Sequence, residues 1–132
     1  MNHPSIKRLA LAGLTALTAV AMIAPAGVSA NDGDIIRVGN CTNRSDWKLK
    51  LSPEDGRIEV EFEVDTPRSG QTWRVKLWHD GVLFYNALKT TNTESGSFEV
   101  ERLRNNTAGA DVFKGRAVNL TTGEVCVGQA TW

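Results

Sequence analysis

From residue 46 to the end, apolar and polar side chains alternate in short runs separated by turn residues, and no segment after residue 30 carries a helical period. The clearest run is "RIEVEFEVD", in which Ile58, Val60, Phe62 and Val64 fall on one face while Glu59, Glu61, Glu63 and Asp65 fall on the other. Such a run predicts a strand with one buried face. Before it, "WKLKL" places Trp47, Leu49 and Leu51 inward against Lys48 and Lys50, and "SPEDG" supplies a turn. After it, "TWRVKLWHDGVLFYN" reads as a hairpin, with Trp73, Val75 and Leu77 inward, Arg74, Lys76 and Trp78 outward, and Asp80-Gly81 at the turn. A hydrophilic link, "KTTNTESG", leads to "SFEVERL" with Phe98 and Val100 inward. "DVFKGRAVN", "LTTG" and "EVCVGQATW" then form a closing hairpin. The expectation is an all-β, single antiparallel sandwich of about seven strands.

The first 30 residues do not belong to that pattern. Lys7 and Arg8 precede the apolar stretch "LALAGLTALTAVAMIA", and "VSA" ends at Ala30, which is the pattern of a secretory signal peptide cleaved after Ala30. The apolar run is too short for a membrane anchor. Residues 31–132 then form one domain of 102 residues. With Lys7 and Arg8 removed, 13 basic side chains face 15 acidic ones, a net charge of −2. That balance disfavours nucleic acid or an anionic membrane engaged through bulk charge. The Ala- and Thr-rich leader is of a bacterial kind, so the glycosylation-type triplets at Asn40, Asn43, Asn105 and Asn119 are read as chance.

The segments "TWRVKLWHDG", "SGSFEVERL" and "GADVFKGRAVNLTTGEV" resemble the third strand, the fifth strand and the sixth strand with its hairpin in an immunoglobulin-like sandwich. The chain is also similar to small secreted actinobacterial proteins. It departs from the immunoglobulin pattern at Gly115, where the resemblance implies a cysteine, with Val60 and Phe62 in the partner strand. Phe113 stands in place of the corner tyrosine. The usual disulfide across the sandwich therefore cannot form. Cys41, read as lying just ahead of the first strand, and Cys126 in the last one can lie side by side in this topology. An exported chain with two cysteines favours a single Cys41–Cys126 bridge. The rivals are a zinc site, poorly served by two cysteines without a partnered histidine, and an intermolecular bridge.

No phosphate loop, metal-ligand spacing or redox pair is present, so neither a cofactor nor a metal is expected. The single histidine of residues 31–132, His79, reads as a solvated rim residue, and the chain is expected not to be an enzyme. Charge sorting is more informative. In the immunoglobulin order, Glu59, Glu61, Glu63, Asp65, Glu99 and Glu101 share one outer face, while Arg74, Lys76, Lys114 and Arg116 share the other. The resulting expectation is a secreted binding module for an extracellular protein or glycan. The basic face is one candidate surface and the aromatic pair Trp78 and Tyr85 is another. Alternatives are an inhibitor of extracellular hydrolases that presents "KTTNTESG" or "LTTG", and a glycan-binding module.

Overall fold

A computed structural model describes residues 32–132; the expected signal peptide and its expected cleavage point after Ala30 lie outside the described residues. The elements are β1 (Ile35–Asn40), β2 (Asp46–Glu54), β3 (Arg57–Asp65), β4 (Thr72–His79), β5 (Val82–Thr90), β6 (Ser97–Asn105), β7 (Val112–Asn119) and β8 (Val125–Thr131). They form two four-stranded antiparallel sheets, ordered β1-β2-β3-β6 and β5-β4-β7-β8. The inward rows read from the alternation are the core: Leu49, Leu51, Ile58, Val60, Phe62, Val64, Trp73, Val75, Leu77, Phe98 and Val100 are all buried, and Phe113 of β7 joins them. Each large side chain of this kind contributes about 1.5–3 kcal/mol by leaving water.

The strand count is eight among the described residues, one more than expected. The addition is β1, whose sequence IIRVGN shows no clean alternation because it lies on an edge and is partly exposed on both sides. Cys41 therefore follows the first strand instead of preceding it. Strand β2 also runs further than expected, through Ser52, Pro53 and Glu54, leaving only Asp55-Gly56 for the turn. Pro53 is tolerated because β1 ends its pairing at Leu51, so no neighbour on that side needs a donor. Asp55-Gly56 and Asp80-Gly81 both adopt positive φ at both residues, 47° and 75° in one turn and 47° and 78° in the other. These are the tight turns whose twist matches a right-twisted hairpin.

At the centre, Phe62 of one sheet points at Gly115 of the other. A Cβ built on Gly115 would stand 2.7 Å from the Phe62 ring, so the ring occupies the space in which a side chain on β7 would sit. The covalent link lies instead at one lateral edge, where the Cys41–Cys126 disulfide joins the segment after β1 to β8, with Cα atoms 4.3 Å apart. The surrounding backbone is stitched as well. Thr42 N donates to Val125 O (2.9 Å), Val125 N to Thr42 Oγ1 (2.9 Å), and Ser45 N and Oγ to the buried Glu124 carboxylate (2.8 and 3.0 Å). Beside the bridge, the Trp47 ring packs on Gly39 of β1 and Gly128 of β8, neither of which has room for a Cβ.

The opposite lateral edge is closed without a bond. Strand β5 carries a bulge against Leu77 and Trp78, and its Phe84 and Tyr85 pack on the core. From β6 in the other sheet, the Arg102 guanidinium lies 4.6 Å from the Tyr85 ring centroid and that of Arg104 lies 4.5 Å from the Phe84 centroid. Gly115→Ala should cost about 1–3 kcal/mol in urea unfolding by overpacking the centre. Phe62→Leu in the same chain should recover part of that loss, giving a coupling of at least about 0.5 kcal/mol. Strictly additive losses would show that ring and glycine are not fitted to each other.

Candidate functional site

Registers within the sheets turn the sorted charges into grids. On the outside of the first sheet, β3 and β6 pair Glu61 with Glu101 and Glu63 with Glu99, and Glu59 with Leu103 in the next row. Strand β2 brings Lys50 opposite Glu61 and Lys48 opposite Glu63. Lys48 bonds Glu61 at 3.0 Å and Glu63 at 3.2 Å, and Lys50 reaches Glu61 at 3.5 Å. The lysines thus serve the β3 carboxylates and leave Glu99 and Glu101 on β6 without an ion pair among the described residues. The electrostatics follow. Partial desolvation, and then the neighbouring carboxylates Glu61 and Glu63, hold Glu99 above the ordinary glutamate range. Desolvation followed by Glu101 and Glu54 does the same to Glu59. For Lys48, burial is outweighed by its bonds to Glu61 and Glu63, and its ammonium is held above its usual value.

On the outside of the second sheet, β4 and β7 pair Arg74 with Val118, Lys76 with Arg116, and Trp78 with Lys114. No strand of this sheet contains an aspartate or glutamate. Arg74 donates to Asn86 Oδ1 (2.8 Å), the Lys114 ammonium sits 5.3 Å from the Trp78 ring centroid, and none of the four cations has an ion pair among the described residues. A cleft of about 290 Å³, lined by Trp78, Gly81, Val112, Lys114 and Gln129, opens at one end of the face. A larger groove of about 370 Å³ lies on the other sheet beside β1, lined by Val38, Trp47, Lys48, Glu63 and Asp65 among others. No sequence pattern points to this groove, because β1 shows no clean alternation.

The two expected aromatic residues do not meet. Trp78 belongs to the outer row of β4, whereas the bulge in β5 turns Tyr85 to the inner side, against the core and under Arg102. His79 also differs from expectation. It is 7% exposed, its ring stacks on Phe113 at 4.3 Å, and its Nε2 donates to the fully buried Asp111 Oδ1 at 2.6 Å, with Asp80 Oδ2 at 3.5 Å. Thr107 completes the set by donating its backbone N–H and hydroxyl to the Asp111 carboxylate. Sequence reasoning missed this cluster because Asp111 lies 32 residues from His79 and nothing local joins them. His79, Asp80 and Asp111 have ligand atoms close enough for an ion, as do Glu59, Glu61 and Glu101 and also Glu61, Glu63 and Glu99. The donors of the first set are already committed to each other, and those of the other two lie on a glutamate face partly neutralised by Lys48 and Lys50. Among the described residues, no hydroxyl is hydrogen-bonded to His79, so no nucleophile is coupled to it. Asn119 is buried and donates to Gln71 Oε1 (2.7 Å), which removes it as a glycosylation acceptor in the folded chain.

Comparison of the chain with protein-family models, curated proteins and solved structures finds no match.

Two opposed acid responses follow from these carboxylates. Burial raises the Asp111 pKa but is outweighed by the Thr107 and His79 hydrogen bonds, so its folded pKa is lowered. Its contribution is present above the unfolded pKa and lost as pH falls through the folded one. The Glu99 pKa is raised, so its contribution is present below the unfolded value and lost as pH rises through the folded one. Asp111→Asn should therefore lower Tm at pH 7 and flatten the acid limb of the stability profile. Glu99→Gln should raise Tm at pH 7, with the gain vanishing well below the unfolded glutamate pKa of about 4.3. Parallel Tm-against-pH curves for both variants and the parent would contradict these assignments.

Proposed function

We propose that the chain is a secreted, non-catalytic binding module with an immunoglobulin-like sandwich, and that it engages an anionic partner through the outer face of its second sheet. The strand order supports the architecture, with β3 beside β6 in one sheet and β4, β7 and β8 together in the other. The Cys41–Cys126 bridge is compatible with an oxidising, extracellular setting. The observation that carries the functional reading is the complete absence of acidic residues from β4, β5, β7 and β8 around Arg74, Lys76, Lys114 and Arg116, which have no ion pair among the described residues. A face kept only for solubility would mix both signs. A one-sign face on a domain of nearly balanced charge steers and orients an opposite surface.

The cleft beside Trp78 favours a glycan as a second reading of the same face. Its indole offers a platform for a sugar ring, Lys114 a partner for a carboxylate, and Gln129 hydrogen bonds to hydroxyls. The link from Lys89 to Gly96, the candidate inhibitory loop, is drawn in by its own contacts: Asn92 accepts from Ser95 N and Oγ, and Asn92 N donates to Ser97 O.

Poly-L-glutamate provides a defined anionic probe. The oxidised, processed protein should be retained on immobilised polyglutamate at about 0.1 M salt and released near 1 M, where the screening length falls from about 10 Å to about 3 Å. Arg74→Glu with Lys114→Glu should abolish retention with Tm unchanged, since both side chains point away from the core. Trp78→Ala alone should reduce retention only if a sugar-type platform dominates. Equal retention of the double charge reversal and the parent would refute the basic-face reading.

A further inference from the structure

The two charged faces form complementary grids. Outward residues on neighbouring strands stand about 4.8 Å apart, and outward residues along one strand about 6.8 Å apart, in either sheet. On the first sheet, three successive rows read Glu59–Leu103, Glu61–Glu101 and Glu63–Glu99 across β3 and β6. On the second, they read Arg74–Val118, Lys76–Arg116 and Trp78–Lys114 across β4 and β7.

Whether such grids can meet face to face is a question of hand, and the turns decide it. The two-residue turn at Asp55-Gly56 makes Glu54 and Arg57 a hydrogen-bonded pair. The odd-numbered, outward residues of β3 therefore direct their backbone groups to β2, away from β6. The turn at Asp80-Gly81 does the same for His79 and Val82, so the even-numbered, outward residues of β4 direct theirs to β7. Seen from outside with β3 and β4 running upward, β6 then lies to the left of β3 and β7 to the right of β4. Laying one face on the other reverses left and right in one of them, which brings β3 over β4 and β6 over β7.

We infer that the partner of the basic face is a second copy of this chain, docking the acidic outer face of its first sheet. In that apposition Glu59 faces Arg74, Glu61 faces Lys76, Glu101 faces Arg116 and Glu99 faces Lys114. Leu103, 41% exposed in the single chain, falls on Val118. The flanking strand adds no clash. Strand β2 with Lys48 and Lys50 falls over β5, where the matching rows hold Leu83 and Asn86. Glu99 and Glu101, which have no ion pair among the described residues of one copy, gain Lys114 and Arg116 of the neighbour. The inference rests on the basic-face reading above and narrows it to one occupant. Because the faces are on opposite sides of the sandwich, the contact is heterologous and does not close, so copies add in a row.

Sedimentation velocity on the oxidised, processed protein tests this. At about 0.01 M salt the weight-average mass should rise at least twofold over the accessible concentration range and return to the monomer near 1 M salt, as the screening length falls from about 30 Å to about 3 Å. Glu99→Lys with Glu101→Lys makes two of the four facing charge pairs repulsive, and Arg74→Glu with Arg116→Glu does the same from the other face. Each double variant alone should remain monomeric, with circular dichroism and Tm confirming the fold, and an equimolar mixture should give a one-to-one complex. A parent that stays monomeric at low salt, a charge-reversed variant that self-associates alone, or a mixture that does not combine would each overturn the inference. A monomeric parent that still binds polyglutamate would leave the basic-face reading standing without self-docking.

Discussion

Everything in this sandwich is arranged around a ring placed against a glycine. Phe62 reaches from β3 to the backbone of β7 at Gly115, and no other residue type at position 115 would leave it room. Two sheets pack about 10 Å apart when side chains from both fill the gap. At this point one sheet contributes the whole filling, and the contact is dispersion and water exclusion with no covalent bond across it. An aromatic side chain buries 150–250 Å² or so and tolerates small shifts, whereas a central disulfide fixes one pair of Cα atoms. The core therefore coheres through packing, and the covalent constraint is free to act elsewhere.

It acts at the lateral edge formed by β1 and β8. Strand β1 has no fully buried residue, and without the Cys41–Cys126 bond its hold on β8 would rest on the Thr42–Val125 and Ser45–Glu124 hydrogen bonds and on Trp47 between two glycines. A bridge closing an 85-residue separation restricts the unfolded chain by about 4.5 kcal/mol in the chain-entropy account. The other lateral edge needs no bond, because Arg102 and Arg104 lie over Tyr85 and Phe84. Cation–π contacts of this kind contribute about 0.5–2 kcal/mol each. They also seal the gap with side chains whose charged ends can remain near water.

How much of this could be read from the chain depends on whether a feature is periodic or singular. The inward rows of β2, β3, β4 and β6 are legible because a period of two writes itself into every second residue. The bridge is legible because two cysteines leave few choices. Strand β1 is not, since an edge strand with Gly39 at its close approach to Trp47 shows no alternation. Tyr85 is misplaced by simple alternation because one extra residue in β5 reverses the parity of everything beyond it. His79 is misread for a different reason. Its burial is decided by Asp111 and Phe113 on β7 and the loop before it, and pairing at that sequence distance leaves no local trace. The sorted faces are legible residue by residue, but the row-by-row match between them depends on registers that only the folded sheets define.

Those registers make the acidic face costly. Glu61 opposes Glu101 and Glu63 opposes Glu99 directly across β3 and β6, and like charges in that position destabilise a sheet. Lys48 and Lys50 could have relieved both columns had they stood between them, yet they border β3 alone. A sheet that needed only solubility could interleave the signs, placing one of the second sheet's cations on β6. Instead Arg74, Lys76, Lys114 and Arg116 are gathered on the far side of the same small domain, without an ion pair among the described residues. Sorting of this kind raises the energy of the isolated molecule while strengthening whatever contact brings the opposite sign to either face. The cost borne within one chain is thus the same interaction, with its sign reversed, that the surface offers to a partner.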